Sequence, residues 1–322
     1  MDVICIGELL VDIIGQEEGK LSDVQTFKRY AGGAAGNVAA GTSKLGLKSG
    51  FIGKVGNDPF GEFLIKSLES YKVDTSQIYR DDKRKTGLAF VSLDERKVPD
   101  YLFYRDPSAS MFLGPEDIKE EYIKNAKAIY FSSIALVNEP FRSATYKALR
   151  LAQEYGLLVS FDPNVRLRLW NSEEEARNEI LKAIGLTNIL KINTEEMSFL
   201  FGQGAREELC QRLIQQYPSL KLVTLTLGSE GAILADSNGN IVHVNGVPVE
   251  AKDTTGAGDT FMSAILSFVM RNGIPCTSDA LRKLGEYSNA AAALTVTRQG
   301  VIPAMPTEDE LAEFMNRIKE GC

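Results

Sequence analysis

Short, unbroken apolar runs alternate with segments of helical periodicity along almost the whole chain, and this alternation limits the possible folds more than any other feature. Most of the runs at 3–6, 51–55, 128–132, 157–161, 189–192 and 222–227 are continuously apolar or nearly so. That is the pattern of strands buried on both faces. Between them the spacing predicts helices over 60–71, 141–155, 173–184 and 206–217. Asp58-Pro59 marks one helix start, an N-cap followed by proline at the first helical position. Strand–helix alternation implies a parallel sheet with helices on both faces. Two segments depart from it. Residues 11–30 have no helical period, and 86–104 read as two strands around a polar turn at 94–100. An antiparallel insert of this kind protrudes from a parallel sheet, so a small β lid formed by about 11–30 and 86–104 is expected on one domain spanning 1–322.

Composition removes several classes of function. Of 322 residues, 44% are apolar and 25% charged, which is ordinary for a globular enzyme. The net charge of −7 disfavours binding to phosphate backbones, so no nucleic-acid partner is expected. No uninterrupted apolar run reaches the ~20 residues of a membrane span, and the first residues lack the basic start of a signal peptide. Cys5, Cys210, Cys276 and Cys322 are scattered, without a CxxC pair, which suits a reducing cytoplasm. The single histidine, His243, lies between Val242 and Val244 in a strand-like run. It reads as a surface strand residue, and a His-rich metal site or a Ser-His-Asp triad elsewhere is excluded.

The most informative stretch is Asp253-Thr254-Thr255-Gly256-Ala257-Gly258-Asp259, after a strand-like segment at 241–249 and before a helical pattern carried by Phe261, Ala264, Ile265, Phe268 and Val269. Gly256, Ala257 and Gly258 let the backbone approach an anion, and the helix N-terminus adds partial positive charge. Phosphate is the natural guest. Asp259, in the first turn, is placed to take a proton from a hydroxyl attacking phosphorus. A simple helix-capping role is the alternative for an Asp after any Gly-rich turn.

The DTTGAGD string resembles the C-terminal signature of the ribokinase (PfkB) sugar kinases, and the similarity runs from Val3 to Pro306. The resemblance implies a ribokinase-like three-layer α/β/α sandwich with a mostly parallel sheet. It also implies ATP with Mg²⁺ as phosphoryl donor and K⁺ as an activator. Neither GxxxxGK[ST] nor GxGxxG occurs, which disfavours a dehydrogenase. Asn193-Thr194-Glu195-Glu196 matches the family's Asn-x-x-Glu, implying Asn193 at the nucleotide and Glu196 on Mg²⁺ through water; helix capping is the competing reading. Thr226-Leu227-Gly228-Ser229-Glu230-Gly231 resembles the nucleotide loop, with Thr226, Gly228, Ser229 and Gly231 as contacts beside Gly258. Asn289, read as opening the helix NAAAALTV, resembles the position beside adenine. Asp253 and Thr255, with Thr295, Arg298 and Gly300, resemble a K⁺ site made mainly of backbone carbonyls.

At the sugar end, Gly7-Glu8-Leu9-Leu10-Val11-Asp12 is read as the end of the first strand, and Asp12 resembles the family Asp that binds sugar hydroxyls. Ala31-Gly32-Gly33-Ala34-Ala35-Gly36-Asn37 resembles the N-terminal signature, implying Gly32, Gly33 and Asn37 at the sugar. Phe103-Tyr104-Arg105-Asp106-Pro107-Ser108-Ala109 is similar to a fructokinase segment. The block Asp162-Pro163-Asn164-Val165-Arg166-Leu167-Arg168-Leu169-Trp170 is shared by fructokinases and ketodeoxygluconate kinases. Arg105 and Arg166 are candidate substrate contacts, with surface ion pairs as the alternative; Arg168 is expected to be solvated. One departure is Ser110, where fructokinases usually carry an acid. The expectation is phosphoryl transfer from ATP to a ketohexose, with D-fructose ahead of 2-keto-3-deoxygluconate, ribose or a nucleoside. A non-catalytic sugar or nucleotide sensor is the rival class. Large apolar residues on both faces of the lid (Leu88, Phe90, Leu93, Phe103) predict a homodimer through it.

Overall fold

In the strand Val3–Ile6 (β1) all four residues are buried. Val3 and Cys5 join one hydrophobic cluster, Ile4 and Ile6 another. A strand turns successive side chains to opposite faces, so a continuous apolar run serves a sheet with helices on both sides. The computed structural model describes residues 1–17, 19–93 and 99–320 and contains this arrangement. The further strands are β2 (Leu10–Gly15), β3 (Phe27–Gly32), β4 (Ser49–Gly56), β5 (Asp74–Asp81), β6 (Gly87–Leu93), β7 (Pro99–Tyr104), β8 (Ala128–Ser132), β9 (Leu158–Asp162), β10 (Ile189–Asn193), β11 (Leu222–Thr226), β12 (Gly231–Asp236) and β13 (Ile241–Asn245).

Nine of them form one sheet in the order β13-β12-β11-β10-β9-β8-β1-β4-β5. Pairing is parallel from β11 to β5, while β12 and β13 continue antiparallel at the other edge. Helices Phe141–Glu154, Glu173–Ile184, Thr194–Phe201 and Arg206–Gln216 bury their apolar sides on one face. Ala34–Lys44, Pro59–Ser70, Ala257–Asn272 and Ser278–Val296 cover the other. This is a three-layer, ribokinase-like architecture.

A second sheet has the order β3-β2-β6-β7. It is mixed: β2 pairs parallel with β6, and only the two outer pairings are antiparallel. The expected hairpin is β6–β7, pairing Leu88 with Tyr104 through to Leu93 with Pro99. Pro99 and Asp100 therefore belong to the strand rather than to the turn, and residues 94–98 lie outside the described residues, as do the side chain of Leu93 and Cys322. Register and the period of two divide this lid into two faces. Asp12 and Phe103 share one; Phe90, Leu102 and Tyr104 share the other.

The Asp58-Pro59 start holds. Asp58 Oδ1 accepts from the amides of Phe60 (3.0 Å) and Gly61 (2.9 Å). The same carboxylate takes the amide and hydroxyl of Thr86, both at 2.9 Å, and so ties the cap to the start of the lid hairpin. His243 is an exposed residue of β13, as its alternation implies. Three expectations are corrected. The strand at 241–249 stops at Asn245. Asn289 lies inside the helix Ser278–Val296 rather than at its start, because the helical pattern begins at the Thr277 cap. Asp12 does not end the first strand; β1 stops at Ile6, and Asp12 sits in β2 opposite Tyr30 and Ala89. Among the described residues no helix is long and apolar enough to cross a membrane.

Candidate active site

The carboxyl ends of β1, β8, β9 and β10 open on a cavity of about 530 Å³, the place where open α/β sheets bind ligands. Asp12 and Phe103 of the lid line its other side. The Gly-rich turn forms its floor. Gly256 has φ 80, a left-handed conformation that side chains disfavour. A Cβ there would come 2.4 Å from Val301 Cγ1, so the close packing also requires glycine. The helix Ala257–Asn272 starts immediately after it. Among the described residues, the Gly256 and Gly258 amides have no hydrogen-bond partner in the protein, whereas the Ala257 amide reaches Thr254 O at 3.3 Å. Two of the three expected anion donors are therefore free. Asp253 braces the turn from behind, its Oδ1 taking the Thr255 amide (2.9 Å) and its Oδ2 the Gly300 amide (3.1 Å).

Asp259 projects from the first turn of that helix into the same cavity. Asn37 Nδ2 donates to its Oδ2 at 2.8 Å. The Asp259 pKa is raised to about 6: burial is the main cause and Asp162 adds to it, while the Asn37 hydrogen bond, Lys191 and Arg166 oppose the rise. A carboxylate so tuned is ionised at neutral pH yet basic enough to take a proton. Asp12 is pushed to about 7, by burial first and then by the charges of Glu8 and Asp259. Gly32 is needed beside it, since a Cβ there would lie 2.0 Å from Asp12 Oδ2.

A buried ion pair under the turn was not singled out from sequence. Lys191 Nζ lies 2.7 Å from Asp162 Oδ2, with the side chains 7% and 1% exposed. Burial works against the Lys191 charge, but Asp162 and Glu196 outweigh it and hold its pKa above the usual value. A Cβ on Gly258 would sit 3.0 Å from Lys191 Nζ, so the ammonium packs directly against the Gly-rich turn. The signal was present: a lysine inside the apolar strand Ile-Leu-Lys-Ile-Asn cannot be buried without a partner. Glu8 was also passed over. Its Oε1 accepts from Arg105 Nε and from Ser110 Oγ, both at 3.0 Å. Gly33, Asn37, Arg105, Arg166 and Thr255 all line the cavity, and so does Arg168, which had been left to solvent.

A second cavity, about 490 Å³, lies on the other side of Gly258. Thr226, Gly228, Ser229, Gly231 and Asn289 line it, with apolar walls from Val247, Val249, Phe261 and Ala292. Asn289 Nδ2 donates to the carbonyls of Val244 (3.1 Å) and Asn245 (2.9 Å), pinning the end of β13. Asn193 belongs instead to the first cavity. It caps the helix Thr194–Phe201 in a reciprocal box with Glu196. Glu196 gives one oxygen to the Val165 amide (2.8 Å) and the other to the Asn193 amide (3.1 Å).

Among the described residues no cluster of three His, Cys, Asp or Glu side chains could hold a metal directly. The donor set still fits a hydrated Mg²⁺, which needs only one or two carboxylates through water. Glu196 keeps lone pairs on both oxygens for that purpose. At the monovalent-cation candidate, Asp253 is consumed in bracing the loops of Thr255 and Gly300, and the Thr295 carbonyl takes the Arg298 amide at 3.0 Å. Carbonyls with a second lone pair remain, and they suit a large, weakly charged ion.

The chain matches the pfkB family carbohydrate kinase profile over residues 1–308. It is 38% identical over 317 residues to "Probable fructokinase-2" of Arabidopsis thaliana, covering 97% of this chain and 95% of that one. A fructokinase double mutant from Vibrio cholerae, solved in fructose, ADP and potassium ion bound form, superposes with a TM-score of 0.86 at 33% identity and covers 98% of each chain. A putative ribokinase II from E. coli in complex with ATP and Mg²⁺ gives 0.87 at 28% identity, covering 98% and 99%.

The buried pair supplies a prediction about stability. Lys191→Met strands the Asp162 charge and should cost about 3–5 kcal/mol in urea denaturation. Adding Asp162→Asn should recover most of the loss. A Lys191→Met protein within about 1 kcal/mol of the parent would contradict the pairing, since that is below the penalty for an orphaned buried charge.

Proposed function

The chain belongs to the pfkB family of carbohydrate kinases, and we propose that it is a fructokinase, moving the γ-phosphoryl group of ATP to a hydroxymethyl oxygen of D-fructose. One observation carries the proposal: two cavities meet at Gly258, one polar and containing Asp259, the other apolar-walled and suited to a nucleoside. ATP in the second would direct its γ-phosphate at the Gly256 and Gly258 amides. The sugar in the first would present its hydroxymethyl group to Asp259. With Oδ2 held by Asn37, Asp259 takes the proton through Oδ1. The free amides, the helix N-terminus and Lys191 offset the charge on the transferring group. Mg²⁺ supplies further positive charge on the phosphates when bound with ATP; Asn193 and Glu196 would hold it through water. K⁺ in the loops of Thr255 and Gly300 would steady the turn. Lid residues Asp12 and Phe103 restrict water and so limit hydrolysis.

The acceptor cavity is lined by four acids, Glu8, Asp12, Asp162 and Asp259, and four cations, Arg105, Arg166, Arg168 and Lys191, so its formal charges balance. A balanced polar lining suits an uncharged polyhydroxyl sugar such as fructose. A sensor would have no use for the tuned base at Asp259. Free thiols at Cys5, Cys210 and the exposed Cys276 fit a reducing compartment, the cytoplasm.

The outer face of the lid supports a homodimer. Phe27 is 37%, Leu102 47% and Tyr104 61% exposed, and the Phe27 and Tyr104 rings each pack edge-on to Phe90 at 5.7 Å. Phe103, first expected in that interface, faces the acceptor cavity instead.

Three measurements follow. Asp259→Asn should keep ATP binding and lower kcat by about 10²–10⁴. Because burial raises its pKa to about 6, the wild-type rate should be full above that value and decline as pH falls through it, as the base gains a proton. Turnover in Asp259→Asn within about threefold of wild type would remove the base, since a positioned base contributes far more. Release of ADP from MgATP, measured with fructose, ketodeoxygluconate, ribose and adenosine, should give the highest kcat/KM for fructose. It should be slower when tetramethylammonium replaces K⁺. A higher value for another acceptor would overturn the fructose reading, and equal rates in both salts the K⁺ site. Sedimentation should show a species of twice 35.3 kDa; a monomer at micromolar concentration, or a dimer unaffected by Leu102→Glu, would exclude the lid interface.

A further inference from the structure

Arg105 is buried, at 7% exposure, and lines the acceptor cavity. A guanidinium carries five N–H donors in a fixed fork. Among the described residues only Nε is hydrogen-bonded, to Glu8 Oε1 at 3.0 Å. Glu8 is 2% exposed, and its other oxygen, Oε2, is buried without a partner. Arg–carboxylate pairs are frequently bidentate forks, which satisfy both oxygens and two donors. Here the contact is single. The Nη nitrogens of Arg105 are not among the buried unpartnered atoms, so the Nη edge meets the open space of the cavity, where a guest hydroxyl can accept from it.

The geometry around Glu8 shows what holds it. Ser110 Oγ donates to the same Oε1 at 3.0 Å, and Ser108 Oγ lies 3.0 Å from Ser110 Oγ. Both serines are buried. Glu8 follows β1 of the main sheet, and Arg105 directly follows lid strand β7. The pair thus anchors the end of a lid strand to the core at the point where both meet the cavity. Among the described residues, Glu8 is the carboxylate within ion-pair distance of Arg105.

We propose that Glu8 is a positioning and specificity-determining residue of the acceptor site: it grips Arg105 by Nε alone, turns the Nη edge to the sugar, and cancels its charge so that the site takes uncharged polyols. This rests on the first cavity being the acceptor site. With Glu8 ionised, Arg105 offers hydrogen-bond donors but little net charge, and a carboxylate-bearing acceptor gains no advantage over a neutral one. Without that charge, Arg105 is an unbalanced cation with freedom to rotate. It should then bind hydroxyls less well and sugar acids comparatively better.

The test compares wild type, Glu8→Gln and Glu8→Gln/Ser110→Asp in steady-state kinetics with fructose and 2-keto-3-deoxygluconate. Glu8→Gln is nearly isosteric, and a thermal melt checks its fold. Its KM for fructose should rise about tenfold or more, the loss of one charge-assisted bond, while KM for ATP stays within about threefold. The ratio of kcat/KM for the sugar acid over fructose should rise about tenfold or more in parallel. Ser110→Asp returns a carboxylate beside Arg105 Nε and should restore both quantities most of the way. A purely structural Glu8 would lower activity on both acceptors alike and leave the ratio unchanged; that result, or an unaltered fructose KM, overturns the inference. A wild-type enzyme inactive with every neutral sugar would instead overturn the acceptor reading beneath it.

Discussion

A parallel sheet covered by helices on both faces is open to solvent only at its strand ends, and the rest of this structure follows from that constraint. The helix Ala257–Asn272 lies on one face and starts at the same edge, so its N-terminus and the ends of β1, β8, β9 and β10 converge. The convergence depends on a single turn. Gly256 is left-handed and packed against Val301, and Asp253 holds the flanking loops by one oxygen each. Any side chain at 256 would have to displace Val301 and adopt a disfavoured backbone. The Gly256 and Gly258 amides are therefore positioned by packing and by one buttressing carboxylate.

Charge is distributed with equal economy around that turn. Asp162 and Lys191 neutralise one another, and so do Glu8 and Arg105. Among the described residues Asp12 and Asp259 are left as acids without an ion-pair partner, and burial lifts both toward neutral pH. Asp259 keeps one hydrogen bond, from Asn37, which favours its ionised form; Asp12 sits higher, beside two other carboxylates. Two acids separated in this way divide their tasks. The lower one is ionised and can act as base, and the higher one can carry a proton and donate to a sugar oxygen.

Much of this was legible in the sequence. The largely apolar runs located six of the seven parallel strands, and Asp58-Pro59 located a helix start, because both follow from local rules; the edge strand β5, DTSQIYRD, is too polar to show the same pattern. DTTGAGD located the turn. What was missed depended on pairs distant along the chain. Glu8 and Arg105 are 97 residues apart, and Lys191 and Asp162 are 29 apart. A buried ion pair becomes visible only when both members are brought together. Asn289 was placed at a helix start because its apolar neighbours Ala290–Leu294 stood out, whereas the polar first half of the same helix carried a weaker pattern. Asp12 was assigned to the main sheet because β1 and β2 are separated by only three residues, Gly7, Glu8 and Leu9, all buried like a continuing strand.

The short β1–β2 connection also explains how the lid is coupled to the chemistry. Glu8 lies within it, Asp12 follows in the first lid strand, and Arg105 leaves the last. Since strand residues alternate, placing Asp12 and Phe103 toward the cavity forces Phe90, Leu102 and Tyr104 to the far side. The lid cannot present a polar cavity wall without also presenting this apolar outer face. A surface of that kind is stable in water when it is covered. Whatever covers it also restrains the strands carrying Asp12 and Phe103. The apolar outer face of the lid and its polar cavity wall are in this way two consequences of one strand register.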